Sequence, residues 1–210
     1  MKIGIIGSGN VGSALGKIWG RSGHDILFSS RHPEELKSLA ESIGKNVCYG
    51  TPAEAAKFGE VVILAVPWTG VKDALKSAGS FNGKILIDCT NPLKPDMSGL
   101  AVEPNTSAAE EVAKMAKDAH VVKAFNTTFA AVMKSESRMF GSVKPVGFYC
   151  GGDDSAKTIV SGLIGETGLE PVDTGPLMNA RCLESMAMLI IQLAFVRGMG
   201  NNMAYALLRR

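Results

Sequence analysis

Lys2-Ile3-Gly4-Ile5-Ile6-Gly7-Ser8-Gly9-Asn10-Val11-Gly12 is the stretch that decides the fold. Its first five residues form a short, mostly apolar, β-branched run, the pattern of a parallel strand buried on both faces. The run enters a Gly-x-Gly-x-x-Gly loop with no linker. Residues 13–19 then carry apolar side chains at helical spacing, Gly23 closes the segment, and a second apolar run follows at Asp25-Ile26-Leu27-Phe28. A glycine loop between strand and helix is the context that a dinucleotide-binding turn requires. Gly7 permits the tight turn, Gly9 lets the backbone approach a pyrophosphate, and Gly12 lets the helix pack close to the strand. Ser8, Asn10 and Val11 fill the loop, and the N–H groups and partial positive charge of the helix N-terminus face the phosphates.

The second run ends in Ser29-Ser30-Arg31. An Asp or Glu at this tip would accept hydrogen bonds from the ribose 2′-hydroxyl of NAD. A carboxylate repels a 2′-phosphate, whereas an Arg pairs with one through its planar fork of donors. The tip therefore predicts NADP. His32 and Lys37 read as solvated neighbours.

The 210 residues suffice for one sizeable domain with a small appendage. Apolar content of 46% and charged content of 20% are those of a soluble globular chain. A net charge of +2 with no Lys/Arg run excludes an electrostatic footprint for nucleic acid. Cys48, Cys89, Cys150 and Cys182 form no CxxC pair, which argues against a zinc site or a disulfide framework. The first three fall in or beside strand-like runs, where buried free thiols are expected. The chain opens on a strand rather than a signal peptide. Its longest apolar stretch, residues 186–196, contains Gln192 and falls short of the roughly 20 residues of a membrane span. These features predict a cytoplasmic protein without a membrane partner.

Strands and helices alternate along most of the chain. Helical patterns cover residues 33–43, 53–58, 71–78, 107–117 and 155–167, and strand patterns cover 60–66, 84–89, 120–125, 146–150 and 170–173. Such alternation predicts an α/β fold, a Rossmann-type doubly wound, mainly parallel sheet. Residues 1–175 form the nucleotide-binding domain. Residues 176–210 form a small C-terminal helical region, with one long apolar helix at 180–197 and a tail helix at 202–208. Two long loops, 91–106 and 133–145, have the length of functional or mobile segments.

Ligands of such sheets bind outside the carboxyl ends of the strands. Those ends carry Val66-Pro67-Trp68, Thr90-Asn91 and Asn126-Thr127. Val66, Pro67 and Trp68 are candidate apolar walls for ribose and nicotinamide, although the proline also ends a strand. Asn91, Asn126 and Thr127 are candidate partners for a carboxamide or a substrate ring. No Ser-His-Asp or Cys-His set is apparent, and none of His24, His32 and His120, nor any Lys or Tyr, stands out as a catalytic acid. No catalytic residue is therefore assigned. That absence fits hydride passing directly between two cofactors while the protein positions the rings.

The chain resembles the NADPH-dependent reductases of coenzyme F420, a deazaflavin, whose fold family includes the cytosolic domain of the STEAP metalloreductases. The resemblance spans essentially the whole chain. It rests on the glycine loop, Ser30-Arg31, Val66-Pro67-Trp68, the run Asp173-Thr174-Gly175-Pro176-Leu177-Met178-Asn179-Ala180-Arg181, Leu183-Glu184-Ser185 and Arg197-Gly198-Met199-Gly200. It implies that Ser8, Gly9, Asn10 and Val11 hold the pyrophosphate and that Ser30 and Arg31 hold the 2′-phosphate. It also implies that Val66, Trp68 and Ala130 line the nicotinamide side, with coenzyme F420 as the hydride acceptor. The chain departs from the family in having Glu35 at a lysine position, Asn126 where His is frequent, and a different segment at 91–104.

The reading that follows is an NADP-dependent oxidoreductase exchanging hydride with coenzyme F420. The alternatives are reduction of a flavin, a ferric chelate, an imine or a carbonyl, or NADP sensing without chemistry. The C-terminal helix is apolar on every side, which calls for burial, and a homodimer would supply the cover.

Overall fold

The computed structural model describes residues 1–210. The opening run is β1 (Lys2–Ile6), the glycine loop leads into α1 (Asn10–Arg21), and β2 (Asp25–Ser29) follows. A 3-10 turn at Pro33–Leu36 precedes α2 (Lys37–Glu41), then come β3 (Val47–Gly50), α3 (Pro52–Phe58) and β4 (Val61–Leu64). The next elements are α4 (Val71–Ala78), β5 (Ile85–Asp88), α5 (Ala108–Met115), β6 (His120–Ala124) and α6 (Ala130–Lys134). β7 (Val146–Gly151), α7 (Asp154–Glu166), β8 (Glu170–Asp173) and α8 (Ala180–Ile191) complete the order, and α8 continues as a π-helical turn at Gln192–Val196.

One eight-stranded sheet runs β3-β2-β1-β4-β5-β6-β7-β8. Every neighbouring pair is parallel except β6 and β7. The strand order reverses between β1 and β4, the switch point beside which such sheets bind ligands. The alternation of the strands builds two apolar layers. Ile3, Ile5, Ile26, Phe28, Val61 and Ile63 face α1 and α7, where Trp19 and Val160 meet them. Ile6, Leu27, Val62, Leu64 and Leu86 face α3, α4 and α5, where Ala55, Leu75 and Val112 meet them. The Trp19 indole reaches 144 residues along the chain to donate to the Leu163 carbonyl at 3.1 Å, tying α1 to α7.

Four local expectations change. The edge strand β3 carries two exposed residues at its centre, so the sequence shows no apolar run there. The helix expected over 33–43 is a 3-10 turn followed by only five α-helical residues. The tail helix expected at 202–208 is absent. Its backbone is committed elsewhere: Val146 N–H donates to the Tyr205 carbonyl, and the Tyr205 hydroxyl donates to the Met186 carbonyl at 2.8 Å. The thiol of Cys48 is exposed rather than buried, on edge strand β3. The continuous helical stretch Leu177–Val196 also reaches 20 residues with a mean hydropathy of 1.3, the length and composition of a membrane span. Within it Arg181 and Glu184 are engaged by α5.

Candidate cofactor and acceptor site

The glycine loop has the conformation its residues permit. Gly7 has φ +99°, and a Cβ there would lie 2.5 Å from the Ala65 carbonyl oxygen. A Cβ on Gly12 would lie 2.0 Å from the Gly7 carbonyl oxygen, so α1 packs directly on the loop. A Cβ on Gly9 would meet nothing within 4 Å, so the outer surface of the loop is open. Gly9 caps α1 without a side-chain hydrogen bond, and the first turn holds no acidic residue. The leading N–H groups of α1 thus lack a side-chain acceptor in the chain and remain available to an anion.

The tip of β2 is stitched to this loop. Gly7 N–H and the Ser8 hydroxyl both donate to the Ser29 carbonyl, at 3.3 and 3.1 Å. Ser29 is buried and donates its own hydroxyl to the Ile5 carbonyl at 2.9 Å, so its polar atoms serve the framework. Ser30 Oγ accepts from His32 N–H at 2.9 Å, which shapes the turn. Arg31 is exposed and has no ion-pair partner. Ser30 and Arg31 border a cavity of 420 Å³ whose walls include Val66 and Pro67 and, from α4, Asp73 and Ser77.

A second cavity of 370 Å³ lies on the other side of the α1 N-terminus. It gathers Asn10, Val11, Asn91, Asn126, Thr127 and Ala130 with Phe129, Lys134, Ile190 and Phe195. Phe129 and Phe195 meet edge to face at 5.9 Å, so the π-helical turn forms part of the wall. Two expected residues lie elsewhere. Thr90 is buried behind Asn91, and Trp68 borders a separate shallow depression with Leu100 and Val102.

The floor is held by a buried polar lattice. Phe125 adopts φ +63°, an unusual conformation for a bulky residue, and is locked edge to face against Trp19 at 5.8 Å. This turns the chain so that Asn126 and Thr127 follow at the rim. Asn126 Nδ2 donates to Asn91 Oδ1 at 3.1 Å and to the Leu183 carbonyl at 3.0 Å, and Asn91 Nδ2 returns a bond to the Asn126 carbonyl at 2.9 Å. Beneath, Lys123 Nζ contacts Asp88 at 2.9 Å, Glu184 at 2.8 Å and the Thr90 carbonyl at 2.6 Å, all three side chains being fully buried. Burial alone would push the Lys123 ammonium down; the two carboxylates outweigh that and hold it above its ordinary value. Glu184 also accepts from Ala108 and Ala109 N–H at the start of α5. Asn126 Oδ1, Thr127 Oγ1 and Thr90 Oγ1 are buried with no hydrogen-bond partner.

Buried acceptors without partners at the rim, an unpaired Arg beside a cavity and open helix N–H groups fit a nicotinamide dinucleotide bearing a 2′-phosphate. Over residues 2–92 the chain matches the family described as NADP oxidoreductase, coenzyme F420-dependent. It is 31% identical over 212 residues to the F420-dependent NADP reductase of Methanothermobacter marburgensis, with 92% of each chain covered. The chain belongs to the F420-dependent NADP reductase family. It is thereby an NADP-dependent oxidoreductase, and the Rossmann-type fold is borne out. A crystal structure from Arthrobacter sp. FB24, of a protein assigned to the F420-dependent NADP reductases, superposes with a TM-score of 0.88 at 27% identity over the whole of both chains. The chain is also 28% identical over 90% of its length to the rat metalloreductase STEAP3, of which it spans 37%.

Several residues that line or support the two cavities carry no assigned role in the sequence pattern. Asp73 and Ser77 stand four apart on one helix face, a readable spacing. Lys123 interrupts an otherwise apolar strand, which signals a buried charge with partners. Lys134 and Phe195 carry no such signal, because only the tertiary structure brings α6 and the π-helical turn to the glycine loop.

Proposed function

We propose that this reductase exchanges hydride between NADPH and coenzyme F420, as a homodimer in the cytoplasm. The observation that carries the reading is the pair of cavities flanking one helix N-terminus. One is bordered by the unpaired Arg31, the other by partnerless buried acceptors. When bound, NADPH supplies the hydride from its nicotinamide ring. Ser30 and Arg31 take the 2′-phosphate, and the N–H groups of Asn10 and Val11 take the pyrophosphate. Asn126 Oδ1 and Thr127 Oγ1 would accept from the carboxamide, and Ala130 would line the nicotinamide side. Val66 and Pro67 wall the ribose side. Among the residues lining the second cavity, Lys134 alone can carry a charge. The remaining asparagines, threonines and apolar groups orient rings and exclude water without moving protons, which suits direct hydride transfer between two flat carriers. The buried thiols add no nucleophile: burial pushes Cys89 up, and Cys150 up to about 12.

The homodimer is supported by the outer face of α8 and its π-helical turn, where Leu189 and Val196 are each more than half exposed. The acceptor assignment is tested by following NADPH oxidation with coenzyme F420, with FMN and with a ferric chelate side by side. Turnover is expected with the deazaflavin. Turnover with FMN or the chelate alone would replace it, and NADPH binding without turnover of any would favour a sensing role.

A further inference from the structure

We infer that Lys134 is a second anchor for the pyrophosphate of the dinucleotide, reaching it from beside the helix N-terminus. The inference rests on the NADP site described above and adds a residue from a different part of the chain. Lys134 is the last residue of α6, and its Nζ donates to Asn10 Oδ1 at 3.0 Å across 124 residues of sequence. Asn10 is the first residue of α1, so the ammonium stands directly beside the positive end of that helix. Two sources of positive potential side by side repel one another unless negative charge lies between them. The chain provides none there: Lys134 has no ion-pair partner, and the first turn of α1 carries no acidic residue. The only protein acceptor within reach is a neutral amide oxygen.

The surrounding geometry favours an anion shared by both cavities. Asn10, Val11 and Lys134 border the 370 Å³ cavity, while Gly7 at the other end of the same loop borders the 420 Å³ cavity. A ligand spanning both must cross the loop at Gly9, where the surface is open. That crossing is where a dinucleotide carries its two phosphates. In the free protein Asn10 holds the ammonium in register beside the crossing. On binding, the phosphate oxygens replace the amide as the stronger, charge-assisted acceptor.

The division of labour makes the inference testable without turnover. Arg31 recognises the 2′-phosphate, which only NADPH carries. Lys134 recognises the pyrophosphate, which NADPH, NADH and ADP-ribose share and 2′-AMP lacks. In fluorescence or calorimetric titrations, Lys134→Met is expected to weaken NADPH, NADH and ADP-ribose alike by about tenfold, a factor equivalent to about 1.4 kcal/mol. It should leave 2′-AMP within about twofold, and Lys134→Arg should recover most of the loss. The penalty should shrink with added salt, because Lys134 is exposed and its charge is screened. Unchanged binding of ADP-ribose by Lys134→Met would overturn the assignment. So would an equal loss of 2′-AMP, which would mark a general disturbance of the fold. If wild-type protein binds neither NADPH nor ADP-ribose, it is the cofactor site itself that fails, and the role of Lys134 fails with it.

Discussion

At the scale of single residues, neighbouring glycines of one loop differ in what they do. Gly12 is sterically bound, since any Cβ would press on the Gly7 carbonyl. Gly9 is sterically free, and its value lies in leaving the phosphate crossing uncovered. Gly12→Ala is therefore expected to lower the thermal midpoint and impair NADPH binding together. Gly9→Ala should unfold within several degrees of wild type, with a cost of about 0.5–1 kcal/mol because Ala caps less well than Gly, yet bind NADPH more weakly. Calorimetry paired with NADPH titration checks both, and a large loss of stability in Gly9→Ala would refute the distinction. Arg31 has no structural partner to lose, so Arg31→Ala should act on the ligand alone. We expect NADPH affinity to fall by about 1.5–3 kcal/mol, the range for hydrogen bonds to charged groups, with NADH little affected. Equal losses for the two would remove Arg31 from the phosphate site.

At the scale of elements, the C-terminal helix is fastened to the sheet by charge. Glu184 of α8 meets Lys123 of β6 and the N-terminus of α5, and Arg181 grips Glu110 of α5 through two bonds of 2.9 and 2.6 Å. Removing Lys123 would leave two buried carboxylates without a counter-charge, so Lys123→Met is expected to cost about 3–5 kcal/mol in urea unfolding. A loss below about 1 kcal/mol would show that the lattice relaxes freely. The Arg181–Glu110 pair is partly exposed and worth less, but it has a pH signature. Hydrogen bonding from Arg181 holds the Glu110 carboxyl below its ordinary 4.5. A lowered folded-state value means stability that is fully present above about pH 4.5 and lost as pH falls through the folded value. As pH falls below about 5, wild type should therefore lose more stability than Arg181→Met. Parallel acid profiles would exclude the pair as a contributor.

At the scale of the whole molecule, the C-terminal region has two faces with separate tasks. Its inner face closes the second cavity through Ile190 and packs Leu183 and Ala187 into the interior. Its outer face leaves Leu189 and Val196 in solvent. If two copies pair through that face, a single charge at its centre should separate them. Leu189→Asp is expected to convert a dimer into a monomer in sedimentation or gel filtration, with native circular dichroism and a midpoint lowered only by the loss of dimer linkage. A wild-type monomer, or a dimer indifferent to the substitution, would place the interface elsewhere or remove it.

The residue pattern alone determined the frame of this protein. An apolar run, a glycine loop at a strand–helix junction and a polar, basic second tip specify a parallel α/β sheet and a preference for a phosphorylated dinucleotide. These features are local, written in adjacent residues by sterics and hydrogen-bond chemistry. The tertiary structure decided what is built from distant pieces. Trp68 lies away from the cavity that gathers its expected companions, and Asn126 spends its amide N–H groups on Asn91 and Leu183 while its oxygen stays partnerless. Tyr205 and its neighbours abandon a helix because β7 needs a backbone acceptor. Lys134 arrives beside Asn10 only because α6 packs against α1. Local periodicity records which face of an element is apolar. It does not record which other element covers that face, and the second half of this site is made where such elements meet.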